Sequence, residues 1–224
     1  MPLSLPTYRE LAQRWKNLRD SHDVRVREVA CVGAPRTLLC AEFGDAALPA
    51  IHLSGGVHGD EPAGVLALLR LVESGMLDRA FSYRIWPCTN PTGFDARTRV
   101  NADGVDINRT FGRGGTSPEA SAVIMSNRDR KFVLAVDLHE DDQAGGPYCY
   151  EYGDRAIGER IVPECLRPDP IEEAELLGGL SLSLLMRRGA ADDAITLETP
   201  AHATLDERVD MHVRMVQAAI ASLR

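Results

Sequence analysis

Two short segments of this chain combine residue types that bind metal ions. His58-Gly59-Asp60-Glu61 sets an imidazole and a carboxylate three residues apart, in a glycine-flanked turn just before Pro62. Zinc takes both ligand types, and a catalytic zinc site holds three protein ligands with one coordination position left for water. A tight turn can present two of those ligands from one rigid element. The same four residues also describe an acid capping a helix beside a surface histidine, and the motif alone does not separate the two. His139, in Asp137-Leu138-His139-Glu140-Asp141, is the separated third ligand that the metal reading needs. It could equally be a strand-end histidine bonded to its acidic neighbours.

A third segment suits an anion. It begins Asn90-Pro91-Thr92-Gly93 and runs on through Arg99-Val100-Asn101 to Asp106-Ile107-Asn108-Arg109. Arg97, Arg99, Arg109 and Arg113 are concentrated here, although the whole chain carries a formal charge of −8. Asn108 and Arg109 offer adjacent donors to an anionic substrate group; a solvated loop of alternating charges has the same composition. Other catalytic signatures are missing, since the chain contains neither H-E-x-x-H nor G-x-S-x-G. Gly112-Arg113-Gly114-Gly115 lacks the Lys-Ser/Thr of a phosphate-binding loop and reads as a flexible loop. His22, His52, His202 and His212 show no comparable setting and read as structural or surface residues.

The elements that must position these groups are visible in the hydrophobic pattern. Thr7 caps a helix over residues 8–19, with Leu11, Trp15 and Leu18 at helical spacing. Strand-like stretches follow at residues 24–32 and 37–43, then a buried strand at 49–54. Pro62 opens a helix with Val65, Leu66, Leu69 and Val72 along its buried stripe. Residues 82–87 form another strand, and 94–115 read as one long loop. Ser117 starts a helix that continues through 120–128, and 132–138 is a continuous apolar strand suited to the centre of a sheet. Prolines 147, 163, 168 and 170 punctuate a loop-rich stretch, before a last strand at 194–197 and an amphipathic helix at 205–223. The alternation predicts an α/β sandwich around a mainly parallel or mixed sheet, in one domain spanning residues 1–224. His58 and Glu61 follow one predicted strand, His139 a second and Glu198 a third. Open α/β sheets gather functional groups beyond the carboxyl ends of their strands, so the four can converge in one crevice.

Bulk composition narrows the class. The chain of 224 residues is 44% hydrophobic and 26% charged, as expected of a globular protein with a substantial core. Its acidic balance argues against nucleic acid as a partner. Lys16 and Lys131 are the two lysines, so nearly all positive charge is arginine. Cys31, Cys40, Cys88, Cys149 and Cys165 are odd in number and form no C-x-x-C pair, which predicts buried free thiols in a reducing compartment. No secretion signal and no run of roughly 20 apolar residues is present, so a cytoplasmic protein without a membrane partner is expected. Oligomeric state leaves no trace in the sequence.

Taken together, GGVHGDEPAG, NPTGF, RVNADGVDINRTF, VDLHED and ITLETP resemble, in the same order, the zinc carboxypeptidases or funnelins. Their succinylglutamate desuccinylase and aspartoacylase relatives share the likeness, which spans residues 49–200. The resemblance implies an α/β/α sandwich around a mixed, mostly eight-stranded sheet. It implies one zinc ion per chain on His58, Glu61 and His139, with Asp106 orienting His58, and Glu198 as the general base for a zinc-activated water. Asn108 and Arg109 become the pair that grips a substrate carboxylate, and Arg99 the residue that stabilises the oxyanion, with Arg97 its substitute. The substrate would be a peptide or an N-acyl amino acid, cut at an amide bond adjacent to a free carboxylate. A metallocarboxypeptidase is the first reading, a deacylase of N-acyl amino acids the second, and a non-catalytic metal- or carboxylate-binding protein the last. Two departures bear on the substrate. The digestive enzymes carry a mobile tyrosine some twenty residues before the base, and residues 176–185 contain none. The chain is also shorter than those enzymes and shows no counterpart of the C-terminal domain of aspartoacylase-like deacylases.

Overall fold

The computed structural model describes residues 5–20, 23–112, 117–153, 156–161 and 181–224. His22, Arg113, Cys165, prolines 163, 168 and 170, and residues 176–180 of the tyrosine-free window lie outside the described residues. Seven strands form one sheet: β1 (Arg25–Val29), β2 (Leu38–Phe43), β3 (Ala50–Gly55), β4 (Ser82–Trp86), β5 (Leu134–Asp141), β6 (Tyr148–Glu151) and β7 (Ala194–Pro200). Their order is β1-β2-β4-β3-β5-β7-β6. The central run β4-β3-β5-β7 is parallel, and antiparallel strands lie outside it at both edges. The sheet is therefore mixed, with seven strands among the described residues where the resemblance implied mostly eight.

Helices cover both faces. On one side α2 (Pro62–Glu73) and α7 (Leu205–Ala221) pack on each other and on the central strands. Their apolar cluster takes Leu134, Val136 and Leu138 from β5 and Ile195 and Leu197 from β7. On the other side α4 (Pro118–Asn127) and α6 (Leu182–Gly189) bury Ala135 and Ala194 together with Trp86, Phe111 and Phe132. Successive side chains of a strand point to opposite faces, so these two sets separate the odd and even positions of β5 and β7. The same alternation sends Asp137, His139, Thr196 and Glu198 to the α4/α6 face, and Glu140 and Thr199 to the α2/α7 face. α1 (Tyr8–Asn17) closes the first cluster with Leu11 and Trp15 and starts in a complete capping box between Thr7 and Glu10. The single turn α5 (Ile157–Arg160) lies against α7.

Three sequence expectations change. β5 and β7 do not stop before His139 and Glu198 but carry both inside the ladder. The extension of β7 has a partner in β6, where Tyr148 faces Glu198, and β6 falls in the stretch read as loop. The long loop after β4 is also partly regular: α3 (Pro91–Ala96) opens it and a 3-10 turn covers Ile107–Arg109. Cys31, Cys40 and Cys88 are buried free thiols, and Cys149 is buried as well. Among the described residues, no helix is long and apolar enough to cross a membrane.

Candidate active site

The site is built where β3, β5 and β7 end. β3 runs into Gly56, whose φ of +62° turns the chain into the His58–Glu61 loop. That loop lies directly on the start of α3: a Cβ on Gly59 would sit 1.9 Å from the carbonyl carbon of Gly93. Glycine at 59 is therefore what lets the first two metal-binding candidates approach the anion-binding segment. Glu61 stands at the N-cap of α2 but makes no side-chain cap hydrogen bond. Its carboxylate turns instead to the histidines. Oε1 lies 2.6 Å from His58 Nδ1, and Oε2 lies 3.0 Å from His139 Nδ1. The helix-capping alternative for this acid thus fails, because the side chain is engaged elsewhere.

These three side chains are buried, and their ligand atoms all lie within 4.8 Å of one another. Each imidazole also has a carboxylate on its far nitrogen. His58 Nε2 is 3.3 Å from Asp106 Oδ1, and His139 Nε2 is 3.2 Å from Asp137 Oδ2. A carboxylate behind a histidine fixes the ring and raises its basicity, the common arrangement around zinc-binding imidazoles. Asp106 is held in turn by the Asn108 N–H at 3.0 Å and Arg99 Nε at 3.1 Å. Ser54 donates to Asp137 Oδ1 at 2.7 Å. The donor set and its supports fit a zinc ion.

Charge in the cluster is strongly coupled. Burial opposes ionisation of Glu61, but His139 and His58 outweigh it and hold the carboxyl down at about 2. Burial disfavours the cationic form of His139, yet Asp137 and Glu61 raise its pKa well above the usual histidine value. Asp106 is also depressed, because His58, Arg99 and Arg109 more than offset its burial. Glu198 behaves in the opposite way. Burial, reinforced by Glu61, Asp141 and Asp137, pushes it up to about 8 despite the nearby His139.

A cleft of about 530 Å³ brings the remaining candidates together: His58, Glu61, Arg99, Asn108, Arg109, His139 and Glu198 all line it. Arg99 reaches inward, with Nη1 3.7 Å from Glu61 Oε1. Asn108 is buried, and its Oδ1 has no hydrogen-bond partner among the described residues. The loop that carries them is stiffened by Asn101, whose Oδ1 accepts from the Asp103 and Val105 N–H groups. Arg97 is not at the cleft. Its guanidinium donates to Phe94 O and Pro6 O and lies over the Phe94 ring, so it cannot stand in for Arg99. Glu140, next to His139 on β5, is held by Arg208 and the Ala63 N–H.

Sequence reasoning passed over two features. Asp137 was noted only as part of its motif, although the i, i+2 spacing of a strand already sets it on the same face as His139. Tyr148 and Tyr150 line the cleft from β6, and Tyr152 lines it just after that strand. Tyr148 donates to Asp141 Oδ2 at 2.7 Å, and its hydroxyl lies 3.3 Å from that of Tyr150. Their alternation along Tyr-Cys-Tyr-Glu-Tyr was the available signal.

The chain is similar to several known proteins. The family model of the succinylglutamate desuccinylase/aspartoacylase catalytic domain matches residues 47–146. Carboxypeptidase SOL1 of Arabidopsis thaliana is 34% identical over a stretch covering 41% of this chain and 23% of that protein. The chain thus spans about a quarter of that relative's length. Among solved structures, carboxypeptidase A from Helicoverpa armigera superposes with a TM-score of 0.77 at 16% identity, covering 98% of this chain and 73% of that one. A metallo-carboxypeptidase from Pseudomonas aeruginosa, in complex with (2-guanidinoethylmercapto)succinic acid, gives 0.76 at 16% identity, covering 100% and 70%.

Proposed function

We propose that this chain is a member of the zinc carboxypeptidase superfamily that hydrolyses an amide bond next to a free carboxylate, a reading supported by the likenesses above. One observation carries the reading: a buried His–Glu–His set, a carboxylate of raised pKa and an Asn–Arg pair share one cleft. Zinc held by His58, Glu61 and His139 would polarise the scissile carbonyl and acidify water at the site. Asp106 and Asp137 keep the two imidazoles turned inward. Glu198 takes a proton from the attacking water and returns it to the leaving nitrogen. Arg99 meets the negative charge that develops on the carbonyl oxygen, where a preorganised cation is most effective. Asn108 and Arg109 hold the substrate carboxylate and so fix which bond lies over the metal.

A peptide losing its C-terminal residue is the first substrate class, supported by the carboxypeptidases of like fold. The Pseudomonas aeruginosa neighbour was captured with a substituted succinic acid, whose free carboxylates are the group that Asn108 and Arg109 suit. The family-model match supports a second reading, removal of an acyl group from an N-acyl amino acid. Zinc-loaded protein incubated with blocked peptides and N-acyl amino acids, with products read by mass spectrometry, separates them. A released C-terminal residue supports the peptidase; a small acid released only from N-acyl amino acids supports the deacylase. Cleavage of neither, with or without a chelator, would reject the hydrolase.

A further inference from the structure

We propose that Glu140 and Arg208 form a rear brace that positions the metal ligands, Glu140 standing at the cleft wall with its side chain turned to α2 and α7. This rests on the reading of His58, Glu61 and His139 as zinc ligands and goes beyond it, since neither residue belongs to the ligand set. The N-terminus of α2 lacks a side-chain cap from its own N-cap residue. An N-cap side chain normally accepts a hydrogen bond from one of the first free N–H groups of its helix. Glu61 occupies that position on α2 and cannot do so, because its carboxylate faces the two histidines. Pro62 has no N–H, so the first orphan donor is that of Ala63. It finds its acceptor on another element: Ala63 N donates to Glu140 Oε1 at 2.6 Å.

Glu140 is the next residue after His139 on β5, pointing the other way. Its side chain is 1% exposed, and its second oxygen, Oε2, pairs with Arg208 on α7. Its backbone N–H donates to Glu61 Oε2 at 3.1 Å. One residue therefore caps the helix that Glu61 begins, contacts Glu61 directly and adjoins His139. The register extends the pattern to the base. His139 pairs with Glu198 across β5 and β7, and the row behind them pairs Glu140 with Thr199. α7 holds both members of that rear row one turn apart, Arg208 on Glu140 and His212 Nε2 at 3.2 Å from Thr199 Oγ1. Both rear residues are buried, so neither partner is replaced by water at no cost.

The brace acts through the ligands, so it is tested on metal binding rather than on turnover alone. Glu140→Gln keeps an acceptor for Ala63 but removes the charge and sets an amide N–H₂ against Arg208. Arg208→Met removes the partner from the other side, and Arg208→Lys retains its charge. Zinc Kd by chelator competition, the absorption spectrum of the cobalt(II)-loaded protein and Tm of the metal-free protein are measured for each. Expected is a rise in Kd of ~10-fold or more for Glu140→Gln and for Arg208→Met, with an altered cobalt spectrum. The double variant should lose no more than the worse single one, because both remove one interaction. Arg208→Lys should recover part of the affinity. A lowered Tm with unchanged Kd and cobalt spectrum would overturn the brace while leaving the zinc site standing. Should Glu140→Gln fail to fold, equal Kd values for wild type, Arg208→Met and Arg208→Lys would overturn it as well. A wild-type protein that binds no zinc would overturn the metal reading and the brace with it.

Discussion

His139 and Glu198 are direct partners across the parallel ladder of β5 and β7, one residue apart in neither register nor face. A metal-ligand candidate and the candidate base thus sit side by side on the sheet, instead of on loops that would have to find each other. Glu198 is paired on both sides, with His139 on β5 and Tyr148 on β6, which suits a site needing sub-ångström placement. Burial in this row is the main cause of the raised pKa of Glu198, and the neighbouring Glu61, Asp141 and Asp137 add to it.

Zinc content is the first consequence. Purified protein should carry about one zinc per chain, because the open three-ligand set leaves one position for solvent or substrate. His139→Ala should lose most of it, as measured by elemental analysis after dialysis. Full retention in that variant would remove His139 from the site.

The supporting acids should behave alike although they lie on different elements. Asp106→Asn and Asp137→Asn each lose the charge behind one imidazole, and each should weaken zinc binding by ~10-fold or more. Chelator competition gives both values. If only one variant weakens, the other acid does not orient its histidine.

The base should separate from the ligands. Glu198→Gln should keep its zinc while turnover falls by at least ~100-fold, read in a single-turnover assay on any cleaved substrate. The pH dependence of stability adds an independent test on metal-free protein. Glu198 is raised from its ordinary 4.5 to about 8 in the fold, so folding favours its protonated form. That contribution is present below pH 4.5 and is lost as pH rises toward 8. Urea unfolding should show the wild type losing stability relative to Glu198→Gln across this window. Parallel curves would mean that Glu198 is not held in its unfavourable setting.

Much of this could be read in the sequence, for physical reasons that differ by element. Pro62 and the apolar stripe after it marked α2, and the continuous apolar run before His139 marked a central strand. The clamp segment stood out because its arginines break with an acidic chain. Strand ends were harder: β5 and β7 carry charged and polar residues in their last positions, which an apolar pattern cannot follow, and the ladder with β6 decides where they stop. β6 itself is four residues long and follows a proline, too short for its tyrosine alternation to outweigh the breaker. Contacts such as Ala63 with Glu140 join residues 77 positions apart and have no local signature.

Gly59 should be intolerant of even one methyl group. With the ideal Cβ 1.9 Å from the Gly93 backbone, no side-chain rearrangement relieves the overlap, and one of the two loops must move. Gly59→Ala should cost about 1–3 kcal/mol in chemical denaturation, the usual range for overpacking. Zinc affinity should fall with it, since the displaced loop carries His58 and Glu61. A variant of wild-type stability would contradict the close approach of the two loops.

The carboxylate clamp gives the sharpest test of the substrate class, because two independent changes should remove one interaction. Arg109 lines the cleft beside a buried Asn108 whose Oδ1 has no described partner. If the pair holds a free carboxylate, converting that group on the substrate to an amide removes a charge-assisted bond and should lower kcat/KM by on the order of 10-fold or more. Arg109→Ala should cause a comparable loss with the free acid. With the amide it should cause little further loss, since the bond is already gone. The combined effect is then non-additive, as expected for partners in contact. The four kcat/KM values, for two proteins and two substrates, close the cycle. Fully additive losses would mean that Arg109 supports the loop without touching substrate, and the carboxylate would need another anchor within the same cleft.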